Sequence, residues 1–216
     1  MNITMNTLED NNVLKIDTNP YKTGPAIDVE IETFELIEDT HPAMHTYLQD
    51  FDFKNPPVDP IKFASSLVET CKKQRGLGLS ANQCGFYHRV FVMGQEDNYV
   101  AFFNPVLLTY SEDTTKMEEG CLSFKDLFIN IERPTSITVS YQDFTGEHKT
   151  ATFTGMTARC FQHELDHMHG ICYTNRVKPL ALQMAYKKKQ KIALQRRKLQ
   201  KRMTNLVKDK FNANKF

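Results

Sequence analysis

The chain has 216 residues, 40% of them hydrophobic and 25% charged, with nine glycines, nine prolines and five cysteines. Those proportions exclude a disordered, collagen-like or disulfide-scaffold protein, and no apolar run approaches the roughly 18 residues that a membrane span needs. The net charge of +1 conceals two unlike parts: residues 178–216 carry thirteen lysines and arginines against a single carboxylate, Asp209, and residues 1–177 carry 14 against 25.

The opening is acidic. Residues 1–53 hold two lysines and eleven carboxylates, and the first cation is Lys15. Secretory and organellar leaders need early positive charge, so a cytoplasmic protein is expected. Residues 1–55 suggest no function. The odd set of cysteines, Cys71, Cys84, Cys121, Cys160 and Cys172, points to reduced thiols rather than a disulfide framework.

Asp59-Pro60 reads as a helix cap followed by proline at the first helical position. Phe63, Ala64, Leu67, Val68 and Cys71 then share one helical face before Gly76 and Gly78. Arg89–Met93 and Tyr99–Phe103 read as strands, the second leading into Asn104-Pro105. Ser136–Thr154 reads as a hairpin turning at Asp143–Gly146. Gly155 precedes a helix that runs to about His169 and stops at Gly170. Strands and helices in mixed order, without regular βαβ alternation, predict an α+β fold.

A boundary is expected at Lys178-Pro179, dividing a main domain of residues 1–177 from a basic extension of residues 178–216. The extension is rich in helix formers, and Ile192, Leu199 and Leu206 recur every seven residues with Met203 beside them. This spacing predicts a narrow apolar stripe on a strongly basic helix.

The chemistry sits in His163-Glu164-Leu165-Asp166-His167. On a helix, positions i and i+4 share a face, so His163 and His167 can grip one metal ion while Glu164 serves as general base. A catalytic metal needs a third protein ligand. Zinc proteases take it downstream, but Tyr173 stands where one class needs histidine and no glutamate follows Glu164. The third ligand is therefore upstream, or Asp209. The best upstream candidate is Cys121, within Glu119-Gly120-Cys121-Leu122-Ser123.

Three blocks together resemble peptide deformylase: Gly76-Leu-Gly78-Leu-Ser80-Ala-Asn-Gln83, Glu119–Ser123 and Gln162-His-Glu-Leu-Asp-His167 with Gly170 beyond it. Order and spacing fit, and the resemblance spans roughly residues 63–173. It implies the family's α+β fold, strands around the helix that bears the metal ligands. It also implies removal of the formyl group from the N-terminal formylmethionine of nascent peptides. By the same resemblance Cys121, His163 and His167 would bind one divalent ion, natively Fe²⁺ or else Zn²⁺ or another ion, with a water in the fourth position. Glu164 would be the general base. Gln83 and the Leu122 N–H would stabilise the oxyanion, and Gly78 and Gly120 would meet the substrate.

Competing assignments accompany these. Gln83 could cap a strand, and Asp166 could orient a histidine or be an exposed helix carboxylate. Glu119 is expected to pair with Arg133 and hold the cysteine loop. Cys84 and Cys160 are read as packing residues, and His88, His148 and His169 as surface. The Met and Phe residues around 91–103 are assigned to the core, except that some are expected to line a methionine-sized cavity. The chain departs from the family pattern at Ser80, where alanine is common, and at Phe124-Lys125, where an apolar residue and proline are usual. Met168-His169 stands where leucine and a variable residue are common.

The basic extension suits RNA phosphates and resembles the helical extensions with which some bacterial deformylases dock on the ribosome, so ribosome or rRNA is an expected partner. DNA and a membrane span are not expected. A zinc endopeptidase and a decayed scaffold that only binds RNA are the rival classes. The joint retention of Gln83, Cys121, His163, Glu164 and His167 favours deformylation over both.

Overall fold

A computed structural model describes residues 32–213. The start of the acidic opening, with the targeting expectation attached to it, lies outside the described residues.

Helix α1 spans Pro60–Lys73. The Asp59 carboxylate accepts the Lys62 N–H at 2.7 Å, satisfying a donor that the first turn leaves open. Strands β1 (Gly78–Ser80), β2 (Val90–Gln95), β3 (Asn98–Tyr110), β6 (Ser136–Gln142) and β7 (His148–Thr154) form an antiparallel sheet in the order β1-β2-β3-β6-β7. Strands β4 (Thr114–Gly120) and β5 (Phe128–Pro134) make a separate two-stranded sheet. Helix α2 spans Gly155–Met168, and α3 spans Pro179–Ala213.

The alternation of side chains along a strand decides how the layers meet. Val90, Val92, Ala101 and Phe103 pack against the apolar face of α1. Phe91, Met93, Val100 and Phe102 point the other way, onto Ala158, Phe161, Leu165 and Met168 of α2. The central strands are thus covered on both faces, and α2 is held between this sheet and the β4–β5 pair.

Two elements differ from the sequence reading. Strand β3 does not end at Asn104-Pro105 but continues to Tyr110. Asn104 adopts φ 50°, and pairing with β6 skips from Phe103↔Gln142 to Val106↔Ser140. A bulge absorbs the proline, which has no N–H to give the ladder. The Asn104 side chain also fastens Phe51, accepting its N–H at 2.7 Å and donating to its carbonyl at 2.9 Å. Strands β4 and β5 were not expected; the run Thr-Thr-Lys-Met-Glu-Glu-Gly in β4 shows no apolar alternation.

A third cluster joins Met44, Phe124, Leu127, Ile129, Ile131, Cys172 and Tyr173. The first turns of α3 close it with Leu182 and Ala185. Farther along, Lys188 pairs with Glu118 at 3.1 Å and Arg196 with Asp126 at 2.9 Å. Beyond them Leu199, Met203 and Leu206 are exposed, so the apolar stripe of α3 outruns the body. No helix among the described residues is long and apolar enough to cross a membrane.

Candidate active site

Helix α2 is buried along almost its whole length, polar residues included: Arg159, Gln162, His163, Glu164, Asp166 and His167 are all buried. Its spacing sets His163 and His167 one turn apart, with ring centroids 5.3 Å from each other. The turn after β4 brings Cys121 to them. That turn is closed by the Phe124 N–H on the Cys121 carbonyl and the Leu127 N–H on the Phe124 carbonyl. Cys121 Sγ lies 3.4 Å from His167 Nε2. One ligand atom from each of Cys121, His163 and His167 falls within 4.8 Å of the others.

The donor set fits a divalent transition metal, since thiolate and imidazole together suit Fe²⁺ and Zn²⁺. The tautomer of His163 fits as well. Its Nδ1 stands 3.0 Å from Glu119 Oε2; an ionised carboxylate only accepts, so Nδ1 carries the hydrogen and Nε2 keeps its lone pair for an ion.

Glu119 is the centre of a buried charge network. Arg133 donates Nε–H to Oε1 at 2.7 Å and Nη2–H to Oε2 at 2.9 Å, and Arg159 donates to Oε1 at 2.6 Å. Arg133 also reaches Asp166 Oδ2 at 2.9 Å, and Arg176 donates to both oxygens of Asp166, its Nε to the same Oδ2 at 3.0 Å. Burial opposes ionisation of Glu119, but hydrogen bonds from His163 and Arg133 outweigh it and hold the acid down to about 2. Burial works against charge on His163 too, yet in the metal-free site its hydrogen bonds to Cys121 and Glu119 carry the imidazole up to about 10, so an ion binding at Nε2 would displace the proton there. His167 is pushed well below the usual histidine range by burial and by the neighbouring His163.

Glu164 is buried beside the ligands, and burial raises its pKa above the ordinary carboxylate range. Its Oε2 accepts the Ser80 hydroxyl at 2.6 Å. Its Oε1 lies against Gly78: a Cβ at that glycine would stand only 2.5 Å from it. Gln83 makes the capping contact considered for it. Its Oε1 caps the turn by accepting the Ser80 N–H at 2.9 Å, while Nε2 donates to Cys121 Sγ at 3.3 Å and Ser123 Oγ at 3.2 Å.

While Ser80 and His167 are fully buried, a groove of about 930 Å³ opens onto part of this cluster, Gln83 among its lining. Gly76, Leu77 and Gly78 line it, as do Gly120 and Leu122, with Cys121, His163 and Glu164 also reaching its surface. A Cβ at Gly120 would come within 2.8 Å of the Phe128 ring, so a side chain there would have to push that exposed ring aside.

Glu119 pairs with Arg133 as expected. Asp166 is buried, so the exposed-carboxylate alternative falls; its carboxylate accepts from Arg133 and Arg176 rather than from a histidine. Cys84 and Cys160 pack against the first and second core clusters, Cys160 also reaching the groove. His148 and His169 are exposed, whereas His88 is half-buried with its ring against Phe51. The sequence reading missed Arg159 and Arg176. Arg159 lies one helical turn before His163, and that spacing was the available signal.

The family model described as "Polypeptide deformylase" matches residues 33–183. The peptide deformylase of Agrobacterium fabrum is 37% identical over 141 residues, covering 63% of this chain and 83% of that protein. The crystal structure of peptide deformylase from Thermotoga maritima superposes with a TM-score of 0.63 at 34% identity, covering 68% of this chain and 99% of that one. The Met-Ala-Ser-bound class I type b enzyme of Acinetobacter baumannii gives a TM-score of 0.65 at 25% identity, covering 68% and 100%. The match begins well before Phe63, where the sequence blocks placed it.

Proposed function

The chain belongs to the polypeptide deformylase family and removes the N-formyl group from nascent peptides, and we propose that Glu164 is the base of that reaction. The observation that carries the proposal is convergence: the Cys121, His163 and His167 ligand atoms lie within 4.8 Å of one another, and Glu164 reaches the same groove. Those three residues would hold the single divalent ion, natively Fe²⁺ with Zn²⁺ or another ion as alternatives. Bound there, the ion would acidify a water and polarise the formyl carbonyl.

The chain's own groups supply the rest. Glu164 takes a proton from the attacking water and returns it to the departing amine. The Gln83 amide and the Leu122 N–H face the oxyanion, each such donor being worth about 3 kcal/mol in the transition state. Gly78 and Gly120 both line the groove and present bare backbone to the peptide. Met-Ala-Ser, the tripeptide bound by the Acinetobacter enzyme, represents the product expected from formyl-Met-Ala-Ser.

The test is formate release from that formylated tripeptide by anaerobically purified protein, beside Glu164→Ala, with metal content read on the same samples. Turnover by the parent and none by the metallated variant supports the assignment. A metallated parent that cleaves unformylated peptides and releases no formate would replace it with an endopeptidase.

We further propose that residues 1–177 are the catalytic unit of a cytoplasmic enzyme in a bacterial-type translation compartment, and that residues 178–216 dock on ribosomal RNA. The thirteen cations of residues 178–216 support the docking. Truncation after Lys191 removes eight of them and should abolish salt-sensitive co-sedimentation with ribosomes while sparing tripeptide turnover. Undiminished co-sedimentation refutes the docking.

A further inference from the structure

Ser80 ends strand β1 and is fully buried. Its backbone is fixed twice, by pairing with Phe91 across β1–β2 and by its N–H on Gln83 Oε1 at 2.9 Å. Its hydroxyl donates to Glu164 Oε2 at 2.6 Å and lies 3.4 Å from the Glu164 carbonyl oxygen. A carboxylate in the low-dielectric interior gains much from such a charge-assisted donor.

The two oxygens of Glu164 are thereby made unequal. Oε2 is engaged by Ser80. Oε1 lies against Gly78, whose missing side chain leaves it room, and both Gly78 and Glu164 line the groove. The terminal torsion of a glutamate is otherwise broad and nearly two-fold, so an unanchored carboxylate would present its oxygens by turns.

We propose that Ser80 is a positioning residue for the base: its hydroxyl pins Oε2 and leaves Oε1 as the oxygen that takes and returns the proton. The proposal rests on the reading of Glu164 as general base and deepens it. Alanine, common at this place in the related motif, provides no donor.

The variant Ser80→Ala removes one atom from a buried strand and keeps backbone and volume nearly unchanged. It should lower kcat for formyl-Met-Ala-Ser roughly five- to tenfold with KM within about twofold, as expected when an interaction serves the reaction step rather than substrate binding. Ser80→Cys, which keeps a weak donor, should fall between parent and alanine.

The same change is then made in Glu164→Asp, whose shorter side chain withdraws its carboxylate from the hydroxyl. There Ser80→Ala should cost less than about twofold, because a residue acting only through Glu164 shows coupling in a double-mutant cycle. An unaltered kcat in Ser80→Ala, or an equal loss in both backgrounds, overturns the proposal while leaving Glu164 as base. A parent that releases no formate overturns both readings together.

Discussion

The Glu119 carboxylate stands 3.0 Å from His163 Nδ1 while its two oxygens also receive guanidinium N–H groups from Arg133 and Arg159. One acid, two residues before Cys121, thus ties β4, β5 and α2 together behind the ligand cluster. Glu119→Gln keeps the shape and removes the charge that two buried arginines face. Breaking a buried ionic group in this way should cost about 3 kcal/mol, lowering Tm by roughly 6–12 °C for a chain of this size. Metal binding should weaken about ten- to a hundredfold, because His163 loses the partner that fixes its tautomer. Thermal denaturation and chelator competition measure the two effects; metal affinity equal to the parent's would confine Glu119 to packing.

Gly78→Ala tests the closeness of β1 to the base. The new Cβ would stand 2.5 Å from Glu164 Oε1 and 2.9 Å from Cδ, well inside contact distance, so the carboxylate must move. A misplacement of about 1 Å at a catalytic group is worth about a hundredfold in rate. The alanine variant should therefore keep its Tm within a few degrees and its metal content, and lose about a hundredfold in kcat/KM. Near-parental activity would show that the Glu164 carboxylate has room the packing denies it.

Much of this arrangement was legible in the sequence because its signals were local. The cap at Asp59, the stop at Gly170 and the i, i+4 histidines each lie within one element, and α1, α2 and α3 stand where they pointed. What escaped notice depended on distant chain. Strands β4 and β5 stabilise each other only as a pair and show their apolar face in Ile129 and Ile131 alone. Residues 32–55 revealed nothing by periodicity, yet Met44, Leu48 and Phe51 are core. Ser80 looked like a small substitution in a glycine-rich motif; its contact with Glu164 crosses 84 positions. Arg176 meets Asp166 only because the chain turns back after α2.

The cysteines should sort by how strongly their surroundings hold the thiol protonated. Burial pushes the Cys71, Cys84 and Cys172 thiols up to about 12. At pH 8 only about one such thiol in ten thousand would be ionised, and thiolate is the reactive form. In native protein at pH 8, iodoacetamide should leave these three unmodified after the half-buried Cys121 has reacted, provided the metal has been removed. Their rates should rise about tenfold per pH unit over the alkaline range in which the protein stays folded, since the thiolate fraction grows in that proportion below the pKa. Loading with Zn²⁺ should protect Cys121 while leaving the others unchanged. Peptide mapping by mass spectrometry reads all of this; alkylation of Cys121 at the same rate with and without metal would remove it from the ligand set.

Helix α3 should divide into a part that belongs to the fold and a part that does not. Leu182 and Ala185 close the cluster of Phe124, Leu127 and Tyr173, and two of those residues flank the turn that presents Cys121. Truncation after Val177 uncovers that cluster. The loss of one well-buried leucine's worth of area is about 2 kcal/mol, or roughly 4–8 °C in Tm, with weaker metal retention as the Cys121 turn loosens. Truncation after Lys191 keeps Leu182, Ala185 and the Lys188–Glu118 pair, and among the ion pairs of the described residues gives up the exposed Arg196–Asp126 pair. Exposed pairs contribute at most about 1 kcal/mol. The longer form should therefore melt within about 4 °C of the full chain and retain its metal and tripeptide turnover. Equal Tm for both truncations would mean that the first turns of α3 rest on the body without stabilising it.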